Sequence, residues 1–446
     1  MNRTNIEWDR HFAALADEII RLREPGEETL CSLSAEQSDF IRFNAAKVRQ
    51  IGVVQQGRLT LRLISGERHA YSTLTLSGSS EQDLAEATQT LRTLRASLRD
   101  TGDDPHLLFD RSSWQRTTFR TGRLPQVEAL VRTVAECAAG LDFVGFYAGG
   151  SVLEGFASST GSRGWYQVSN FNFSWSLYDA NGRAIKTAYA GDDWDDAVFA
   201  QKLGQAARRL EYFSQSPKVL TPGSYRAYFA PDAMRELIGM MGYEGFSARE
   251  QATARSPLYK LNSGALHLDP RISVAEDLDL GLTPAFNEDG YLRESVSLVT
   301  LGRGTGQLTS ARSAREFGLQ PNGANAREMA TSLAMAGGAL PEADVLAALG
   351  TGLYVGNLWY LNVSDRTQCR LTGMTRFATF WVEDGQISSP VDAMRFDDSL
   401  YRLLGSEIEH LTETPELMLE DSTWGQRRTG GMQLPGMVVR SFELTL

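Results

Sequence analysis

The chain has 446 residues, 42% hydrophobic, 22% charged and 9% aromatic, and its 44 basic and 55 acidic residues leave a net charge of -11. That composition excludes disorder and collagen-like repeats, and at roughly 100 to 200 residues per domain the length suffices for two or three self-sufficient cores. The acidic balance lacks the basic footprint of a nucleic-acid binder, no apolar run approaches the ~18 residues of a membrane helix, and Met1 to Phe12 carries no apolar signal stretch. A cytoplasmic protein with neither nucleic acid nor membrane as partner is expected. Cys31, Cys137 and Cys369 are odd in number and far apart, which indicates neither a disulfide framework nor a paired-cysteine zinc site.

Glu7 to Arg23 places Phe12, Leu15, Ile19 and Ile20 at helical spacing before the stop Glu24-Pro25-Gly26. Alternation then predicts strands through Leu59, Leu61 and Leu63, a Ser65-Gly66 turn, and a return through Leu74 and Leu76. Ser79 with Gln82 reads as a capping box ahead of a helix with Leu84, Ala87, Leu91, Leu94 and Leu98 on one face. A further helix after Pro125 carries Val127, Leu130, Val131, Val134 and Cys137 on its apolar face, so Cys137 reads as a core thiol.

Phe171, Phe173, Trp175 and Leu177 alternate with polar residues in the clearest strand, which Asn181-Gly182 turns into a hairpin. Asp192, Asp193, Asp195 and Asp196 lack the loop glycine and distal glutamate of an EF-hand and read as first-turn carboxylates of the helix through Leu203 and Leu210. Ser214 to Gly223 marks a boundary between residues 1–215 and 220–446. Beyond it come a strand over Tyr225 to Ala230, a helix opened by Pro231-Asp232, and mostly strands, with Asn287 to Gly290 and Glu383 to Gly385 as hairpin turns. The fold class is α+β, an N-terminal mixed domain followed by a β-rich C-terminal one.

No Gly-x-Ser-x-Gly elbow occurs, and Gly302-Arg303-Gly304-Thr305-Gly306 lacks the ending of a phosphate loop and reads as a flexible turn. Glu407, Glu409 and His410 read as a solvated helix face, and His267 as a satisfied strand histidine. Cys369 as a lone nucleophile has no identifiable activator. Tyr354, Trp359 and Tyr360, with Phe377, Phe380 and Trp381, suit either a domain core or a peptide groove, and Arg366, Arg370 and Arg376 make that region cationic, a hint of a carboxylate-bearing ligand.

Three C-terminal stretches resemble the TldD/PmbA family. They are Phe286-Asn287-Glu288-Asp289-Gly290 with Ser297 to Val299 and Thr309 to Gly318, then Gly352-Leu353-Tyr354-Val355, then Thr372-Gly373 leading to Phe380-Trp381-Val382-Glu383-Asp384-Gly385-Gln386-Ile387 and Pro390-Val391. Weaker similarity reaches back to about Phe40. In the TldD kind of subunit, a helix bearing His-Glu-x-x-x-His and a later cysteine build a zinc site, and the TldE (PmbA) kind lacks these groups. Here Gly239 and Met240 fall at the His-Glu positions, Glu244 near the second histidine, and Ser422 to Gly425 near the cysteine.

The resemblance therefore implies a metallopeptidase-related, TldE-like subunit with no catalytic or metal-ligating residue and no cofactor of its own. Zinc is expected in a TldD-like partner, and the two form a heterodimer that cleaves small or unfolded peptides. The family has also been named for modulation of DNA gyrase, for which the charge of -11 gives no physical support. The cleft residues expected to meet the peptide are Tyr354 and Trp359 for side-chain pockets and Arg370 and Arg376 for carboxylates. The alternative is a homodimeric, non-enzymatic peptide-binding protein on the same scaffold.

Overall fold

The computed structural model describes residues 6–445; Met1 to Asn5, on which part of the expectation about a signal stretch falls, and Leu446 lie outside the described residues. Helix α1 (Trp8–Arg21) buries Trp8, Phe12, Leu15, Ala16 and Ile19, the stripe its spacing requires. It is followed by β1 (Glu27–Asn44), β2 (Lys47–Ser65), β3 (Arg68–Leu76) and α2 (Ser80–Asp100). Next come β4 (Gln115–Arg120), α3 (Val127–Cys137), β5 (Asp142–Ser158), β6 (Arg163–Tyr178), β7 (Ala184–Gly191) and α4 (Asp196–Glu211). The strands form one sheet in the order β3-β2-β1-β5-β6-β4, with β7 also on β6.

Strand alternation decides what this sheet covers. Odd positions such as Cys31, Leu33, Leu59 and Leu61 pack under α1 and α2, and Phe143, Phe173 and Trp175 pack with Phe199 of α4. Even positions face the other half of the protein.

That half begins with β8 (Gly223–Phe229), α5 (Pro231–Glu244), α6 (Ala248–Ala252), α7 (Tyr259–Asn262) and β9 (Val274–Glu276). It continues through β10 (Val296–Thr300), β11 (Arg303–Gly304), α8 (Ala311–Phe317), β12 (Ser332–Met335) and α9 (Val345–Leu349). The last elements are β13 (Gly352–Asp365), β14 (Arg370–Glu383), β15 (Gln386–Pro390), β16 (Arg395–Ser399), α10 (Leu400–Leu403), β17 (Ile408–Leu411), β18 (Glu416–Leu419), β19 (Gly431–Leu434) and β20 (Met437–Leu444).

One sheet runs β11-β10-β9-β12-β19-β18, and the other runs β13-β8-β20-β16-β14-β15 with β17 on β20. Because β13 also pairs with β14, five strands of the second sheet close into a ring. The two halves share a core in which Tyr228, Tyr354, Phe380 and Val438 join Phe143, Trp175 and Phe199. The class is α+β, with mixed elements first and strands dominating afterwards.

Several local expectations are corrected. Ser79 makes no capping hydrogen bond; instead Asp83 accepts from the amides of Ser77 (2.8 Å) and Gly78 (3.0 Å) and folds the turn before α2. Cys137 is exposed, because it ends α3 and Ala138 takes the buried position. Glu407, Glu409 and His410 flank or occupy a strand, β17, rather than a helix, and Glu409 is held by Arg226 at 2.7 Å. His267 sits in an irregular segment, 3.2 Å from Arg303 Nη1. Asn287 to Gly290 forms a turn closed by one Phe286–Leu292 bridge, not a hairpin of two strands, and its Asp289 pairs with Arg62 of β2. The first-turn reading of the aspartates stands at Asp195, which caps α4 by accepting from Ala197 N at 2.7 Å. Among the described residues no helix is long and apolar enough to cross a membrane.

Candidate functional site

The alternation that buries Cys31, Leu33 and Ala35 sends Ser34, Glu36 and Ser38 of β1 to the opposite face. Gln56 of β2, Glu154 of β5 and Asn170 and Asn172 of β6 stand there too, because Glu36 is registered with Gln56, Ser34 with Glu154 and Gly150 with Asn170. A row of polar side chains thus crosses the sheet on the side facing the C-terminal half.

Across that row lies a strap, the irregular excursion 420–430 between β18 and β19. Its base is closed by Glu420 N donating to Gly430 O (2.9 Å), and Asn172 Nδ2 donates to Glu420 O (2.8 Å). Gln56 Nε2 donates to Gly425 O at 2.7 Å, and Gln426 donates to Ser34. Arg427, only 4% exposed, donates to Ser38 Oγ (3.3 Å), Gly150 O (3.3 Å), Asn170 O (3.1 Å) and Asn170 Oδ1. Gly150 is required there: its φ is +144°, and a Cβ would stand 2.1 Å from Gln37 O. Burial lowers the Arg427 guanidinium to about 10, so it keeps its charge at neutral pH, with Glu36 as the facing carboxylate.

Glu154 is half-buried beside this strap, and burial pushes its carboxyl up to about 8, with Glu288 adding repulsion against the Ser34 hydrogen bond and Arg428. The folded protein therefore holds a proton that the unfolded chain releases near 4.5, and stability falls as pH rises between these two values. Glu154→Gln should leave stability unchanged at pH 4 and raise it by roughly 2 kcal/mol above pH 8. Urea titrations at the two pH values check this, and an equal effect at both would refute the buried, protonated carboxyl.

Helix α5 forms the wall next to the strap. Arg235 reaches Asp421 at 3.1 Å, and the Lys186 ammonium of β7 acts on both Asp232 and Glu236. Burial raises the Asp232 carboxyl to about 6 and also raises that of Glu236. Gly239 offers no side chain, and a Cβ there would meet Met432 Cε at 3.6 Å. Met240 packs against the C-terminal core, and Glu244 is held by Arg366 at 2.7 Å. Trp424 stands 88% exposed where the resemblance puts a cysteine region. Among the described residues no three His, Cys, Asp or Glu side chains form a group able to hold a metal ion. The donor set at these positions, a bare glycine, a thioether and an ion-paired carboxylate, does not fit a zinc site.

Of the four expected cleft residues, Trp359 and Arg376 meet, and Tyr354 and Arg370 lie apart from them in other contacts. Tyr354 is 4% exposed in the shared core, with Arg209 over its ring at 4.8 Å, so it lines no groove. Arg370 is neutralised by Asp397 and by Glu443 (3.0 Å). Trp359 is 44% exposed and stacks under Arg376 at 4.2 Å on the β13–β14 ribbon. Cys369 is buried, and burial pushes its thiol up to about 12, which removes it as a nucleophile. The strap residues Gln426 and Arg427 were missed by pattern reading. The legible signal for their seat was the run Ser32, Ser34, Glu36, Ser38, polar at every second position of an otherwise core-forming strand.

The overall fold, a mixed α+β half followed by a strand-rich half, is shared with solved structures. A protein described as a modulator of a DNA gyrase from Thermotoga maritima superposes with a TM-score of 0.77 at 15% identity, covering 97% of this chain and 100% of that one. TldE from Thermococcus kodakarensis gives a TM-score of 0.76 at 13% identity, covering 98% and 100%. A protein from Bacteroides thetaiotaomicron, also described as a modulator of DNA gyrase, gives 0.75 at 15%, covering 99% and 100%. No curated protein matches the sequence. Residues 222–446 match the family model described as the PmbA/TldA metallopeptidase C-terminal domain. The chain belongs to the TldD/PmbA family.

Proposed function

We propose that this chain is a TldE-like, non-catalytic subunit that pairs with a TldD-like zinc peptidase in the cytoplasm and forms part of the cleft in which small or unfolded peptides are cleaved. The observation that carries the reading is α5. It borders the face between the halves, yet it presents Gly239, Met240 and the Arg366-bound Glu244 where the resemblance places the zinc-binding helix motif. A subunit with those residues supplies walls and charge rather than a Lewis acid, and the zinc belongs to the partner. The fold likeness to TldE agrees with this assignment.

The test is cleavage of an unfolded peptide, with bound zinc quantified, for the purified chain alone and mixed with a TldD-like paralogue. Cleavage and zinc that appear only with the paralogue are expected, together with a one-to-one complex on size exclusion. Stoichiometric zinc and chelator-sensitive cleavage by this chain alone would sink the reading. A stable homodimer that ignores the paralogue would favour the peptide-binding alternative.

A further inference from the structure

Beyond the strap, the even face of the N-terminal sheet is open. A cavity of about 530 Å³ lies there, and its lining contains Arg42, Arg49 and Lys186 but no carboxylate. In a chain of net charge -11 such a segregation is uncommon enough to need a reason. Most arginines that meet a carboxylate here are tied down, as Arg62, Arg370 and Arg402 are. Among the described residues, Arg42, Arg49 and Lys186 form no hydrogen bond or close salt bridge, and all three are exposed, while the Lys186 ammonium also acts at longer range on Asp232 and Glu236 of α5. Arg42 instead lies over the Phe146 ring at 5.4 Å, and Phe146 stacks on Phe40.

Register fixes the geometry of the trough. Arg42 of β1 is paired with Phe146 of β5, Phe146 with Ser174 of β6, and Ser176 of β6 with Lys186 of β7. Arg42 and Lys186 are therefore separated by three strand spacings, about 14 Å, across the sheet, with Lys186 displaced by two residues, about 7 Å, along its strand, over a floor of one aromatic ring and two hydroxyls. An extended peptide rises ~3.3 Å per residue, so residues i and i+4 of a crossing peptide share a face and span about that width. The Ser174 and Ser176 hydroxyls can both donate and accept, which suits an extended main chain between the two cations.

We propose that this trough is a subsite for an acidic peptide segment, with Arg42 and Lys186 each taking a carboxylate side chain spaced about four residues apart and Arg49 reinforcing the field. The inference deepens the peptide-cleft reading and rests on it for biological meaning, but it makes a binding claim about this chain alone. A long polyanion such as RNA is disfavoured, since beyond the trough it would meet the field of an acidic protein.

The test is fluorescence anisotropy on the full chain at low salt, without any partner subunit. The probes are N-acetylated, C-amidated peptides that carry two glutamates four residues apart, the same peptide with two glutamines, and the same with two lysines. The glutamate peptide should bind about tenfold tighter than the glutamine peptide and lose that advantage as salt is raised. Arg42→Gln combined with Lys186→Gln should abolish the preference while leaving the circular dichroism spectrum unchanged, and Lys186→Arg should retain it. Equal binding of the glutamate and glutamine peptides would overturn the proposal. So would a preference that survives the double variant, full displacement by low-millimolar inorganic phosphate, or tighter binding of a single-stranded oligonucleotide. Because no partner or cleavage is involved, failure here leaves the subunit reading standing, and failure of the peptidase assay leaves this result interpretable.

Discussion

Arg427→Ala should destabilise the protein by about 3–5 kcal/mol, because it removes a buried charge from a site built around it. Four acceptors, Ser38 Oγ, Gly150 O, Asn170 O and Asn170 Oδ1, would lose their donor at once. Gly150 O and Asn170 O belong to strands β5 and β6, and Glu36, 1% exposed, would lose its facing cation. Arg427→Lys keeps the charge but not the planar fork, and should recover only part of the loss. Urea unfolding gives the magnitude, and limited proteolysis gives the location: cleavage within 420–430 should appear in the alanine variant before global unfolding. A loss under about 1 kcal/mol with an intact strap would show that Arg427 is not the pin that holds the halves together.

Glu276→Ala should cost a similar amount, about 3–5 kcal/mol, at the other end of the same device. Glu276 of β9 accepts from Arg293 Nη2 (2.7 Å), Thr331 Oγ1 (2.8 Å), Thr331 N (3.0 Å) and Ser332 N (3.0 Å). Its side chain and that of Arg293 are both almost fully buried, so neither water nor another carboxylate can replace it. Ser332 begins β12, which runs parallel to β19, and Thr331 O receives the amide of Gly431 where the strap re-enters the sheet. Losing Glu276 therefore leaves the buried Arg293 charge without its carboxylate, with only the neutral acceptors Thr283, Pro284 and Thr331, and frees the base of the strap. Glu276→Gln, which keeps two acceptor or donor positions but not the charge, should fall between the two. Hydrogen exchange of the Ser332 and Gly431 amides reads the effect directly. Unchanged protection there in the alanine variant would count against the anchoring role.

How much of this was legible depended on whether the signal was local. The hairpin of β2 and β3 followed from Leu59, Leu61, Leu63, Leu74 and Leu76, since a period of two is a backbone property. Helix α2 followed from Ala87, Leu91, Leu94 and Leu98 for the same reason at a period near 3.6. The aromatic strand β6 and its Asn181-Gly182 turn were equally local, and Gly182 takes the positive φ of +80° expected of it. Errors arose where a residue's fate was set by what lay across from it. Glu407 to His410 has helix-compatible composition but pairs with β20, because β20 offered ladder partners. Tyr354 and Trp359 stand on one strand, yet Tyr354 faces the shared core and Trp359 lies beyond the bulge between Val355 and Asn357, exposed with Arg376.

The candidate site was less legible still. Ser34, Glu36 and Ser38 could be seen as a polar face, but Gln426 and Arg427 lie almost the whole chain away and show no periodicity. What the sequence by itself determined was the α+β class, the principal strands and helices, the family, and the residue types at the positions of a zinc-binding helix. Those depend on nearest-neighbour periodicity and on side-chain chemistry, which need no coordinates. The tertiary structure alone decided which polar faces meet. It laid the strap over β1, β5 and β6, neutralised Arg370, and gathered Arg42, Arg49 and Lys186 without a close salt bridge in one trough. Such pairings depend on contacts between residues distant in sequence, where burial and Coulomb energy act over a few ångströms of space rather than a few positions of chain.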